Sequence, residues 1–403
     1  MRTQILVSTK LKNNSWLRAM LLATITATTH VYANEQNGIE YSGSGFATLG
    51  VGKMVGGERG VVRDYNCPCF VSDFAQGGIF DGSHDVQWKP DSKIGVQGSV
   101  SFDNRRFSLN GQVVSRGAQN GKVDLEWLYA SYKLNDNFTV NAGRKRIPLF
   151  YYSDTQDVGV ALPWTHLPPG LYGWEAVNYN GADLTYQTQF KDWSASGNVY
   201  AGSEHIKDSQ YWRVNSNGRL SQTEVKWDNI VGGNLSLSKD WFETRLSYLQ
   251  SNTQQNFTNN LLWDSGTQTY LPPTTVSPYA DAKQRIYGWA TNVDYNNWLA
   301  RTEFIKIAHP GLGFNEYAQI VAAGYHYGKW QPMITWGQYK WGTYDSSPSW
   351  ALPDAQQATT ALTLRYDLTT SSDLKLQYDS VHETGEPLFG NARLVSFTYD
   401  KVF

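Results

Sequence analysis

The last ten residues, "LVSFTYDKVF", sort into two faces when read in steps of two: Val395, Phe397, Tyr399, Lys401 and Phe403 against Ser396, Thr398, Asp400 and Val402. A period of two belongs to a strand lying between unlike environments. Helical spacing would group Val395, Tyr399 and Val402 and scatter the remaining rings. The pattern recurs along the chain in segments of about ten residues, the length of a strand tilted across a hydrocarbon layer. In "KIGVQGSVSF", Ile94, Val96, Val100 and Phe102 oppose Lys93, Gln97, Ser99 and Ser101; in "RFSLNGQVV", Phe107, Leu109 and Val113 oppose Arg106, Ser108, Asn110 and Gln112. Near the end Leu362, Leu364, Tyr366 and Leu368 oppose Thr363, Arg365 and Asp367, and Leu374, Leu376 and Tyr378 oppose Lys375, Gln377 and Asp379. Few of these segments are apolar enough to be buried on both faces.

A chain with 25 Tyr, 16 Trp and 16 Phe but a mean hydropathy of -0.48 suits a sheet that is apolar outside and wet inside. Residues 1–33 read as a secretory signal: Arg2, Lys10, Lys12 and Arg18 with no acid, the run "AMLLATITA", and small residues Val31 and Ala33 before a cut after Ala33. Its removal leaves 30 basic against 36 acidic residues, a net charge near -6, which suggests no nucleic-acid partner. Beyond Ala33 no stretch approaches the roughly 18 consecutive apolar residues of a spanning helix. An exported chain of this kind is read here as all-β, one unit over residues 34–403.

The connections alternate in length. Short polar turns fall at Asp103-Asn104, Asn135-Asp136, Lys191-Asp192, Lys239-Asp240, Asn296-Asn297, Gly328-Lys329 and Thr370-Ser371. With eight longer loops between them they predict a closed antiparallel barrel of 16 strands, from near Ile39 to Phe403, with short periplasmic turns and long extracellular loops. Trp193, Trp241, Trp298, Trp330 and Phe138 sit beside these turns, and Tyr295 and Tyr327 approach the same rim, forming one aromatic girdle to which Phe403 belongs.

On the terminal "VSFTYDKVF", the segment "NAGRKRIPLFYYSDTQDVGVALP" and the strand count, the chain resembles the Gram-negative outer-membrane porins. That resemblance implies a passive channel for small hydrophilic solutes and ions, a homotrimer, contact with outer-membrane lipid and lipopolysaccharide, and a terminal signal (Phe397, Tyr399, Phe403) read by the barrel-assembly machinery. Gly43, Gly45 and Ala47 are the small residues that would let neighbouring walls approach. It also implies a third loop folded into the lumen, here about 146–180. The acidic residue followed by Phe-Gly-Gly that is commonest there is replaced by "PWTHLPPGLYGW".

A basic wall of Arg106, Arg144, Lys145, Arg146 and Arg365 is expected to face loop residues Tyr151, Tyr152, Asp154 and Asp157 across a constriction, since a transverse field needs fixed charges of both signs. Lys145 follows the inward parity of Thr139, Asn141 and Gly143, whereas Arg144 is ambiguous. Tyr151 and Tyr152 would either stack on sugars or pin the loop. Lys93, Arg106, Asp124, Glu126, Asp183, Glu243, Arg245, Arg301, Glu303, Arg365 and Lys375 share the inward parity, because a lipid-facing cation costs about 2–4 kcal/mol at the midplane. Cys67 and Cys69 suggest a local or intermolecular disulfide; as metal ligands they would need partners among Asp64, Asp73 and His84, so no metal or other cofactor is expected. His166, His205 and His326 form no catalytic motif, and no enzyme is expected. The alternative is a closed or plugged barrel acting through its outer loops as an adhesin, receptor or enzyme.

Overall fold

The computed structural model describes residues 34–36, 38–60, 65–83, 85–217, 221–259, 262–264, 266–271, 274–343, 355–384 and 389–403. The expected cut after Ala33, and Asp64 and His84, lie outside or at the edge of these residues. Sixteen long strands form the wall. The first four are β1 (Ile39–Gly57), β2 (Lys93–Phe102), β3 (Phe107–Arg116) and β4 (Val123–Lys133). Next come β5 (Phe138–Arg146), β6 (Asn178–Phe190), β7 (Trp193–Ile206) and β8 (Ser221–Lys239). They continue as β9 (Phe242–Asn259), β10 (Thr274–Tyr295), β11 (Trp298–His309) and β12 (Phe314–Tyr325). The last are β13 (Trp330–Thr343), β14 (Ala355–Thr369), β15 (Ser372–Thr384) and β16 (Ala392–Val402). Each pairs antiparallel with its neighbours, and β16 pairs back onto β1, so the sheet closes without an edge. A short strand Asn34–Gln36 folds back on the start of β1. All seven expected turns fall between the strands they were expected to join.

The two faces follow the parity. Ile94, Val96, Leu109, Leu362, Leu376 and Phe397 point out and are exposed, while Thr363, Arg365, Lys375, Gln377, Ser396 and Asp400 point in and are buried. Rings at the short-turn rim touch across strands: Trp241 and Tyr295 at 5.6 Å, Trp298 and Tyr325 at 4.9 Å, and Trp330 and Tyr366 at 4.5 Å between centroids.

The seam departs from expectation. β1 pairs with β2 over Glu40–Thr48 and with β16 over Phe46–Gly57, and Phe403 adds a reciprocal backbone pair with Gly45 (N to O, 2.9 and 2.6 Å). The Phe403 ring lies on Gly45, where a Cβ would stand 2.4 Å from a ring carbon. Gly45 is therefore covered by the chain's own terminus, so it is not open to a neighbouring wall; Gly43 meets only the Gln97 carbonyl, at 3.6 Å.

Gly45→Val should expel the terminal ring and cost about 1–3 kcal/mol by overpacking. The fraction of protein that keeps the fast gel mobility of a folded barrel on graded heating should fall at lower temperature, while Gly43→Val should shift it less.

Candidate functional site

The connection 147–177 between β5 and β6 turns inward and lies on the inner faces of strands round the barrel. It has little regular structure beyond the short turns Ser153–Thr155, Gly159–Ala161 and Pro169–Tyr172. Its buried carbonyls therefore need donors from elsewhere. The wall supplies them. Arg365 Nη1 donates to the Val160 and Leu162 oxygens at 2.9 and 3.0 Å, and Lys375 Nζ to the Gly159 oxygen at 2.9 Å. Arg245 Nη1 donates to the Phe150 oxygen at 3.0 Å, and Ser247 Oγ to that of Leu149 at 2.7 Å. In return Trp164 Nε1 donates to Thr335 Oγ1 at 2.8 Å. Gly159 is needed where the loop meets β16, since a Cβ there would stand 1.7 Å from Asp400 Oδ1.

One side of the loop is apolar. Phe150, Tyr152, Leu162, Trp164, Leu171 and Tyr172 form one buried cluster with inward residues of β8–β13, among them Ile230, Leu249, Ile286, Ile305, Ile320 and Met333. This part of the interior is packed, contrary to the wet lumen that composition suggested, although Glu243, Arg245, Arg301 and Glu303 point into it from the same strands.

The other side is ionic. Asp157 accepts from Arg116 (Nε 3.2 Å, Nη2 2.7 Å) and from Arg146, with Lys93 at 3.8 Å; Glu126 bridges the same two arginines. Burial would raise the Asp157 pKa, but Arg116, Arg146 and Lys93 outweigh it and hold the carboxyl well below its usual range. His166 sits between Asp91 (Nδ1, 3.0 Å) and Asp379 (Nε2, 3.4 Å). Burial would lower the imidazole pKa, yet the two carboxylates raise it to about 10. Tyr151 Oη donates to Glu243 at 2.8 Å and its backbone N to Glu303 at 2.9 Å, while Tyr172 Oη also donates to Glu303. Glu175 is half-buried among donors, Trp227 Nε1 at 2.6 Å and Trp212 Nε1, and loss of hydration raises its pKa.

Asp154 alone of the loop acids is exposed. Its charge acts on the inward Tyr129 and Tyr179. Beside Tyr129 stands Lys145, whose Nζ is 4.9 Å from that ring centroid and 2.5 Å from Asp183 Oδ2. The Lys145 side chain keeps 21% of its surface in solvent, and polar inward residues such as Ser99, Thr139, Thr185 and Ser196 are partly exposed.

No family model and no curated protein sequence matches the chain. Solved structures do. The outer membrane channel DcaP of Acinetobacter baumannii aligns with TM-score 0.56 at 11% identity over 92% of this chain and 99% of that one. OmpF of Salmonella typhi, in complex with daunomycin, gives 0.56 at 14% over 92% and 100%. An anion-selective porin from Comamonas acidovorans gives 0.54 at 9% over 91% and 100%. This chain has the porin fold.

Within the porin fold the expected site residues separate into three groups. Lys145, ion-paired with Asp183 yet partly exposed, and the exposed Asp154 are inward and reach solvent. Arg146, Arg365, Tyr151, Tyr152 and Asp157 are inward but bind the loop to the wall, with Tyr151 partly and Tyr152 fully buried against it. Arg106 and Arg144 lie elsewhere. Arg106 is not an inward strand residue: β3 begins at Phe107, and the exposed Arg106 stacks over Tyr132 at 5.7 Å in the short turn. Arg144 Nη1 binds both Glu204 oxygens, at 3.0 and 2.8 Å, and is not joined to the Arg146–Asp157 cluster. Arg116, Asp400, Glu175 and the clasp role of His166 were missed. Arg116 was within reach, because it continues the inward parity of Ser108, Asn110 and Gln112.

The first loop reinforces the third. Its hairpin, Phe70–Asp73 with Gly78–Phe80, buries Phe70 and Phe80 on Met54, Val381 and Leu394, and Phe70 packs against His166 at 5.0 Å. Cys67 and Cys69 form an intrachain disulfide buried beside Val71, Val214 and Phe389, which leaves no thiol for an intermolecular link or a metal.

Because the His166 pKa is raised from about 6.5, its clasp contributes fully below about pH 6.5 and is lost as pH rises through about 10. The thermal midpoint of the folded barrel should fall across that window, and His166→Gln should remove that part of the slope. Asp157→Ala leaves Arg116 and Arg146 with less compensation and should cost about 3–5 kcal/mol, read as early protease cleavage within 147–177 while the barrel stays intact.

Proposed function

We propose that the chain is an outer-membrane channel through which small hydrophilic solutes and ions diffuse, without a catalytic step, past the docked third loop. The observation that carries this is that Asp154 on the loop is exposed and Lys145 on the wall, ion-paired with Asp183, keeps part of its surface in solvent, beside a lumen side lined with Ser, Thr and Asn. Fixed charges of opposite sign across a wet gap favour small polar solutes, because apolar ones must displace oriented water. The outward apolar band and aromatic rim support insertion in an outer membrane, with the short turns periplasmic, export through residues 1–33, and assembly that reads Phe397, Tyr399 and Phe403. A homotrimer follows from the resemblance to porins, with the early strands as the contact and Gly43 and Ala47 as its small outward residues.

A second reading, a sealed barrel that acts through its outer loops, is favoured by the packed apolar half of the interior and by the first-loop hairpin lying over the third loop.

Single-channel recording of the detergent-folded protein in a planar bilayer separates the two. Open steps in groups of three are expected, and a barrel that folds yet never conducts excludes the channel. In a salt gradient Asp154→Lys should move the reversal potential toward anions and Lys145→Gln toward cations.

A further inference from the structure

At the long-loop end of the barrel, on the inner side of β8 to β13, stands a carboxylate whose charge no side chain balances. Glu175, near the end of the third loop, accepts from Trp227 Nε1 on β8 at 2.6 Å and from Trp212 Nε1 in the connection 207–220. Two further donors, both on β9, are distant: Gln255 Nε2 at 3.3 Å and Thr253 Oγ1 at 3.5 Å. All four donors are neutral. Among the described residues no lysine, arginine or histidine pairs with Glu175. Arg213, next to Trp212, is held by both Asp208 oxygens at 2.9 and 2.7 Å. His309 is bonded to Glu316 at 2.7 Å, and Tyr339 Oη donates to the other Glu316 oxygen at 2.6 Å. Glu175 and Glu316 against one imidazole leave this corner negative whether or not the imidazole is protonated.

A second atom shows the complementary lack. Gln255 is 6% exposed, its Nε2 faces Glu175, and its Oε1 is buried without a hydrogen-bond donor. Turning the amide over would set its oxygen against the carboxylate, so the unmet atom is an acceptor. Rings stand round the pair. Trp212 packs edge to face with Tyr211 and Phe257, at 5.4 and 5.5 Å between centroids. Burial and the charges of Glu316 and Glu175 raise the pKa of the Tyr211 hydroxyl, which keeps it neutral. Glu175, Tyr211, Trp212 and Phe257 are each half-buried, so a solute in the mouth can reach them.

An unbalanced carboxylate beside an unmet acceptor calls for a group that is both cationic and a hydrogen-bond donor. A quaternary ammonium has no N–H to give Gln255, and a neutral hydroxyl brings no charge. A primary ammonium carries three N–H donors, and its charge is attracted to ring faces. We infer that Glu175 and Gln255 form a binding site for the primary ammonium group of an organic cation, whose apolar body lies against Tyr211, Trp212 and Phe257. The inference deepens the channel reading by naming a class of solute captured at the long-loop mouth, and it rests on that reading for passage but not for binding.

The test titrates the detergent-folded protein with phenethylammonium by calorimetry. Saturable binding is expected, and Glu175→Gln should weaken it roughly 10- to 100-fold. Gln255→Met should weaken it roughly tenfold while the thermal midpoint holds or rises, because that change removes a buried unmet acceptor; this guards against a merely misfolded Glu175 variant. Absence of saturable binding, equal binding of 2-phenylethanol or of the trimethylated ammonium, or undiminished binding in both variants would overturn the assignment. So would loss of binding in Asp154→Asn with none in Glu175→Gln, which would put the amine at the exposed loop charge. Conductance measured alongside keeps the two readings apart: a conducting barrel that ignores the amine defeats only the site, and an amine-binding barrel that never conducts defeats only the channel.

Discussion

Everything inside this barrel depends on an irregular segment finding hydrogen-bond partners away from water. A chain that leaves the sheet at Arg146 and rejoins it at Asn178 carries carbonyl groups with no strand or helix to satisfy them. Arg365, Lys375, Arg245 and Ser247 accept that task. Arg365 and Lys375 also balance Asp367, Asp373 and Asp400 on the wall, so these two are fixed from two sides. Inward charge in this molecule is therefore largely structural. Asp154 is exposed, and Lys145, although paired with Asp183, keeps part of its surface in solvent.

The interior has two unlike halves, and they divide what was legible from what was not. Where inward residues are polar, as in β2, β3 and β14–β16, alternation revealed both strand and face, because each second residue is punished on the wrong side. In "WLARTEFIKIAH" both faces are largely apolar, since Ile305 and Ile307 pack on the loop while Trp298 and Phe304 lie on the outer wall. Alternation fades there and the docked loop leaves no trace in the pattern. Arg106 illustrates the opposite failure: parity extended one residue before the start of β3 made an exposed turn residue look inward. His166 and Glu175 belong to a segment without period, and their partners Asp91, Asp379, Trp212 and Trp227 are distant in sequence, so only the folded geometry unites them.

The two inward loops also share their supports. Asp91 belongs to the first loop, His166 to the third and Asp379 to β15, so one imidazole ties three segments. The Cys67–Cys69 bridge lies on the outer side of this arrangement, beside Phe389, and shapes the hairpin that rests on it.

The seam at Gly45 has a temporal meaning. The chain is made from its amino terminus, yet β1 has no partner on one side until β16 exists, and Phe403 then adds the pair with Gly45. Three anchors of the third loop, Thr335, Arg365 and Lys375, arrive almost as late, on β13 to β15. Throughout synthesis, then, the growing sheet has an open edge and an undocked loop, a combination that invites wrong pairing. That edge stays open until β16 is made, and a fragment lacking β16 cannot stand in for an early stage of the native barrel.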